Sequence, residues 1–118
     1  MPEAKINLSV RRPTDKVSVI DIEGDVTSFC EPILMDTYAD AADKGVKCIV
    51  LNFSGLDYMN SSGIGLLVTL LIRAQRQGQK LMAFGLNEHY KQIFELTRLS
   101  EAILIYETEP ATIAAAGA

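Results

Sequence analysis

Three apolar runs set the strongest limit on how this chain can fold: "KCIVLNF" at residues 47–53, "QKLMAFGL" at 79–86 and "AILIYE" at 102–107. A strand with one face in water alternates apolar and polar residues, whereas a strand covered on both faces reads as a continuous apolar run. Helical periodicity fills the gaps. Leu34, Tyr38, Ala41 and Ala42 recur at helical spacing between Glu31 and Lys44, and a second pattern runs from Ile64 to Gln77. Tyr90, Ile93 and Phe94 repeat at i, i+3, i+4 between Glu88 and Thr97. Strands alternating with helices imply a sheet with helices packed on it, and the right-handed crossover preference leaves few topologies.

The beginning of the chain reads differently. "AKINLSVRR" alternates Ile6, Leu8 and Val10 with polar neighbours, and "KVSVIDIEG" does the same with Val17, Val19 or Ile20, and Ile22. "RPTD" between them is a turn signal, so the two segments are expected to form a hairpin of half-buried strands. The predicted order is β-β-α-β-α-β-α-β-α, an α/β fold. Its mixed sheet has about five strands with an N-terminal hairpin, and about four helices pack on it. Ser28 with Glu31 forms a possible capping box, Gly45 a helix stop, and Asn87 a helix cap. "EPATIAAAGA" starts as a short helix, with Pro110 near its first turn, and is expected to fray. Residues 1–108 are read as one domain and 109–118 as a short C-terminal helix or tail.

Composition excludes several function classes. The formal net charge is −4, and no basic stripe with interleaved aromatics is present, which argues against direct nucleic-acid binding. The longest apolar run, Gly63 to Ile72, is about half of the roughly 20 residues that a membrane span needs. The opening "MPEAKINLSV" does not read as a signal peptide, and a cytoplasmic location is expected. Cys30 and Cys48 have neither zinc spacing nor a CxxC arrangement, so both are expected to be reduced and buried. No metal or cofactor is implied.

The stretch that invites a functional reading is "NSSGIG", residues 60–65, between a strand-like and a helix-like run. A serine nucleophile needs a base and an orienting group, but the single histidine, His89, reads as a solvent-facing residue of a helical first turn. The G-x-S-x-G elbow is absent, since Met59 and Asn60 precede Ser61. A P-loop would carry lysine and a hydroxyl where "GIGLLV" follows. Helix capping is the plain structural role, and Asn60, Ser61 and Ser62 are three candidates for it.

The longer stretch "VKCIVLNFSGLDYMNSSGIGLLVTLLIRAQRQGQKLMAFGL" resembles the core of the STAS domain of bacterial anti-sigma factor antagonists. The family motif falls on "LNFSGLDYMNSSGIG", and the likeness extends to the opening hairpin, the "IEGDV" step and "LTRLSEAILIY". Asn60 stands where the family pattern has an acidic residue, and Thr27 where an aspartate is common. The resemblance implies a non-enzymatic binding module, an anti-anti-sigma factor. It would bind an anti-sigma factor serine kinase of the GHKL type and so free the sigma factor. The kinase would phosphorylate Ser61 to end the interaction, and a serine phosphatase would reset it. ATP and Mg²⁺ would belong to the kinase. The alternative within the resemblance is an interaction module of a larger regulatory assembly or lipid-transport system, without a phosphorylation cycle.

The partner surface expected from these residues comprises Thr27, Asp57, Asn60, Ser61, Ser62, Gly63, Leu66, Leu70 and Arg73. Ser62 is expected to serve in capping and Ser61 to accept phosphate. At about 100° per residue, Ile64, Leu67, Val68 and Leu71 share a face that would pack on the sheet, leaving Leu66 and Leu70 exposed beside Thr69 and Arg73.

Overall fold

The computed structural model describes residues 5–43 and 45–117. Strands β1 (Ile6–Thr14) and β2 (Val17–Val26) form the antiparallel hairpin, with Leu8 opposite Ile22 and Val10 opposite Ile20. Helix α1 (Glu31–Ala41), β3 (Cys48–Met59), α2 (Ser61–Arg76) and β4 (Lys80–Phe84) follow. The chain continues through α3 (Glu88–Leu96), β5 (Leu104–Tyr106) and α4 (Glu109–Ala116). The five strands lie in the order β1-β2-β3-β4-β5, and β2 to β5 are parallel. The alternation expected of the chain is thus the alternation found.

The sequential strand order determines the layers. Crossovers of one hand that always step in the same direction place their helices on one face of the sheet. Accordingly Leu34 and Tyr38 of α1, Leu67 and Leu70 of α2, and Tyr90 and Phe94 of α3 share one core with Ile20, Ile22, Ile49 and Leu51. The opposite face carries Val17, Val19, Cys48, Val50, Met82 and Phe84, covered by Ile113, Ala115 and Ala116 of α4. The C-terminal segment therefore does not fray after one turn; it is helical through Ala116, with Thr108 accepting the Ala111 amide at 3.2 Å. Because α4 covers the second face, β2 is not half-buried as its alternation suggests. Val17 to Ile20 are all buried, and the Ser18 hydroxyl donates to the Ala41 carbonyl at 2.7 Å.

Three local expectations are corrected. Helix α1 ends at Ala41, before Gly45, which turns the chain with a φ of 88°; Lys44, the expected last residue, lies outside the described residues. The Ser28–Glu31 capping box does not form, because Ser28–Cys30 is a 3₁₀ turn with Thr27 as its cap. Helix α2 begins at Ser61, three residues before the apolar pattern does. Cys30 and Cys48 are both buried free thiols, and burial pushes the Cys48 thiol up to about 11.

Candidate functional site

The site is built where β3 outruns its neighbour. Pairing with β4 stops at Asn52 and Phe84, whereas pairing with β2 continues to Met59 opposite Val26. The Met59 amide would be unpaired on the vacated side, and the buried Tyr90 hydroxyl of α3 accepts it at 2.9 Å. An unmet buried N–H costs about 1–3 kcal/mol, so this contact holds the end of β3 firmly.

The chain then turns into α2. Asn60 is extended, with φ −97° and ψ −176°, and its side-chain oxygen accepts the Gly63 amide at 2.9 Å. Asn60 is thus the cap, which corrects the assignment of Ser62 to that task. An aspartate at this position would offer the same acceptor, so asparagine supplies the cap without the charge. Gly63 meets the end of β2 so closely that a Cβ there would penetrate the Val26 carbonyl oxygen and lie 2.9 Å from Met59 Cγ. The Asn60 amide also reaches the Val26 carbonyl, at 3.4 Å. Thr27 follows Val26 directly, and its hydroxyl accepts the Phe29 amide at 3.3 Å.

These contacts leave Ser61 and Ser62 exposed in the first turn. Among the described residues neither hydroxyl is hydrogen-bonded, and the Ser61 and Ser62 amides point out of the helix end without a protein partner. An anion on the Ser61 hydroxyl would sit beside these free N–H groups and the positive end of the helix dipole. His89 is exposed in the first turn of α3 and packs edge-on against the Tyr90 ring, 4.9 Å between centroids. Asp57, near the end of β3, is exposed.

The facing assigned to α2 is overturned. Leu66 is 7% exposed and Leu70 0%, and both belong to the core with Gly63, Leu67 and Ala74. Val68 and Ile72, at 38% and 44% exposed, face outward instead. The helix is apolar almost all the way round, so periodicity alone leaves its rotation open by about a quarter turn. The small residues Gly63 and Ala74 were the usable signal, because close packing against a sheet selects them. Arg73 is exposed but lies about 120° around the helix from Ser61, since 12 residues at about 100° each separate them, and so faces another side. The structure therefore gathers Thr27, Asn60, Ser61, Ser62 and Gly63 at one end of α2, and it does not bring Leu66, Leu70 or Arg73 to that surface.

The outward stripe is what the sequence reading missed. Ser61, Gly65, Val68 and Ile72 follow spacings of four, three and four, which places them within one narrow face of α2. Phe29, 57% exposed, and Ile33 lie on the adjacent 3₁₀ turn and α1, and Tyr58 lies at the end of β3.

A polar cleft of about 480 Å³ lies on the α4 side of the sheet, lined by Ser9, Arg11, Asp21, Asn52 and Glu109 among others. Its charged groups engage one another. Arg11 donates to both Asp21 oxygens at 2.6 and 2.8 Å and to both Glu109 oxygens at 2.8 and 3.0 Å. Asn52 donates to Asp21 at 2.8 Å. The Arg11 guanidinium holds both carboxyls below the usual carboxylate range. This network fastens α4 to β1 and β2, and we read it as structural.

The described residues contain no helix long and apolar enough to cross a membrane and no cluster of three metal-ligating side chains. The STAS domain model matches residues 8–111. The anti-sigma-B factor antagonist of Staphylococcus aureus (strain NCTC 8325 / PS 47) is 25% identical over 103 residues, covering 86% of this chain and 95% of that protein. An anti-sigma factor antagonist of Mycobacterium paratuberculosis superposes with a TM-score of 0.82 at 18% identity, covering 99% of this chain and all of that one. The Bacillus cell fate determinant SpoIIAA in its phosphorylated form superposes with a TM-score of 0.71 at 20% identity, covering 92% and 97%. At these identities the structural likenesses show the fold alone. The match of the STAS model along nearly the whole chain shows the family: this protein is a member of the STAS domain family, similar to the anti-sigma factor antagonists.

Proposed function

We propose that this protein is an anti-sigma factor antagonist that works as a partner switch, with Ser61 as the modified residue. Unmodified, it binds an anti-sigma factor kinase of the GHKL type and so releases the sigma factor; phosphorylated, it lets go, and a serine phosphatase restores it. The single observation that carries this reading is the Ser61 hydroxyl, exposed in the first turn of α2 on a rigidly held strand end and without a hydrogen bond among the described residues.

In the transfer step, Ser61 Oγ forms a bond to the γ-phosphorus of ATP held by the kinase. The bond from that phosphorus to the β,γ-bridging oxygen breaks, ADP leaves, and the hydroxyl proton passes to a base of the kinase. The product carries about −1.5 to −2 charge at the Ser61 position. The helix end accommodates that charge without unfolding, while the surface a partner must cover changes in bulk and sign. Thr27, Asp57, Asn60 and Ser62 would frame this contact. The apolar part comes from Val68 and Ile72, which lie on the same face of α2 as Ser61 and replace Leu66 and Leu70 in that role.

Incubation with ATP, Mg²⁺ and an anti-sigma factor kinase of the same organism, followed by peptide mapping by mass, tests the assignment. Phosphate on Ser61 is expected. Stoichiometric phosphate on Ser62 with Ser61 untouched would overturn it.

A further inference from the structure

Met59, whose amide the Tyr90 hydroxyl holds, stands two residues before Ser61. On its β2 side the same strand end is anchored through Val26, whose carbonyl accepts the Asn60 amide and crowds Gly63. On its β4 side the sheet has ended, since the last β3–β4 pair is Asn52 with Phe84. After Phe84 the chain turns at Gly85, whose φ is 85° and where a Cβ would meet Ser54 Oγ at 2.5 Å. Asn87 then caps α3 by accepting the Tyr90 amide at 3.0 Å. Tyr90 is thus fixed at its backbone by the cap and at its tip by Met59, with its ring 6% exposed in the core between them.

We propose that Tyr90 is a positioning residue for Ser61: by holding the Met59 amide it fixes the strand end that presents the Ser61 hydroxyl. This rests on the reading of Ser61 as the phosphate acceptor. Transfer demands that the attacking oxygen, the phosphorus and the leaving oxygen lie nearly in line. Among the described residues the Ser61 hydroxyl has no hydrogen bond to orient it. Its placement therefore depends on the backbone on either side, held by Asn60 within the helix and by Tyr90 before it. Misplacement of a reacting group by about 1 Å can cost up to about a hundredfold in rate.

Tyr90→Phe removes only the hydroxyl. The control is Tyr38→Phe, which deletes another buried tyrosine hydroxyl, the donor to Gln79 at 3.1 Å, beyond the far end of α2. With each protein as substrate for the GHKL-type kinase, kcat for phosphoryl transfer and the Kd for the kinase without ATP are measured. Tyr90→Phe is expected to lower kcat about tenfold with Kd unchanged within twofold, while Tyr38→Phe, of comparable stability loss, keeps both. Wild-type kcat for Tyr90→Phe, or an equal fall in Tyr38→Phe, would overturn the proposal. Should the wild-type chain not be phosphorylated at all, the proposed function fails separately. Amide exchange then decides: selective acceleration at Met59, Asn60 and Gly63, whose amides are hydrogen-bonded, in Tyr90→Phe supports the clamp, and unchanged exchange there refutes it.

Discussion

The side-chain oxygen of Asn60 accepts the Gly63 amide at 2.9 Å, so the residue before the serine pair closes the helix and neither hydroxyl is needed for it. Asn60→Asp keeps that acceptor and adds a negative charge at the positive end of α2. It should match or exceed wild-type stability, whereas Asn60→Ala should lose about 1 kcal/mol. Urea denaturation of the two variants measures the difference, and equal stability of all three proteins would contradict the cap.

Two glycines in the same helix should respond oppositely. Gly63→Ala drives a Cβ into the Val26 carbonyl, a backbone atom with little room to yield, and should cost about 2 kcal/mol or more. At Gly65 a Cβ meets nothing within 4 Å, so Gly65→Ala should stabilise the helix by about 0.5–1 kcal/mol. Melting curves of the pair check the sign of each effect.

The two faces of α2 should separate stability from binding. Leu70→Ala empties a fully buried position and should cost about 2–5 kcal/mol in unfolding. Val68→Ser and Ile72→Ser should change stability far less, yet weaken binding of the kinase by about 1 kcal/mol or more each. Calorimetric titration beside denaturation distinguishes them; wild-type affinity for the doubly substituted protein would remove the stripe from the interface.

Acid should loosen the attachment of α4. Hydrogen bonds from Arg11 hold the Asp21 and Glu109 carboxyls below the usual carboxylate range. A carboxyl whose pKa is depressed on folding contributes stability above its unfolded pKa and loses it as pH falls through the folded value. Stability should therefore be flat near neutrality with respect to these groups and decline as pH drops below about 4. Arg11→Met should flatten that decline. An unchanged acid limb in the variant would show that the network does not govern it.

The fold was legible because period and punctuation agree: the alternating pair around "RPTD" became β1 and β2, and each continuous apolar run contains a strand. Two things were not legible, for different reasons. Leu66, Leu67, Val68, Leu70, Leu71 and Ile72 surround α2, so only tertiary crowding at Gly63 selects its inward face. The covering role of α4 was hidden because its contacts come from Ile113, Ala115 and Ala116, too small a set to announce an amphipathic helix. At the site, Asn60 and the serine pair could be seen in advance. The Tyr90 hydroxyl could not, since it reaches Met59 across 31 positions of sequence.

The most direct test compares the affinity of the kinase for the unmodified chain, the chain phosphorylated on Ser61, Ser61→Asp and Ser61→Ala, each beside its melting curve. Phosphorylation should weaken binding at least about tenfold, or about 1.4 kcal/mol, with Ser61→Asp falling part of the way and Ser61→Ala binding like the unmodified protein. All four should melt within a few degrees of one another, because Asn60 carries the cap in each. Unchanged affinity of the phosphorylated chain would contradict the charge switch. Weak binding accompanied by a collapse in melting temperature would contradict it as well, since the loss would then come from unfolding.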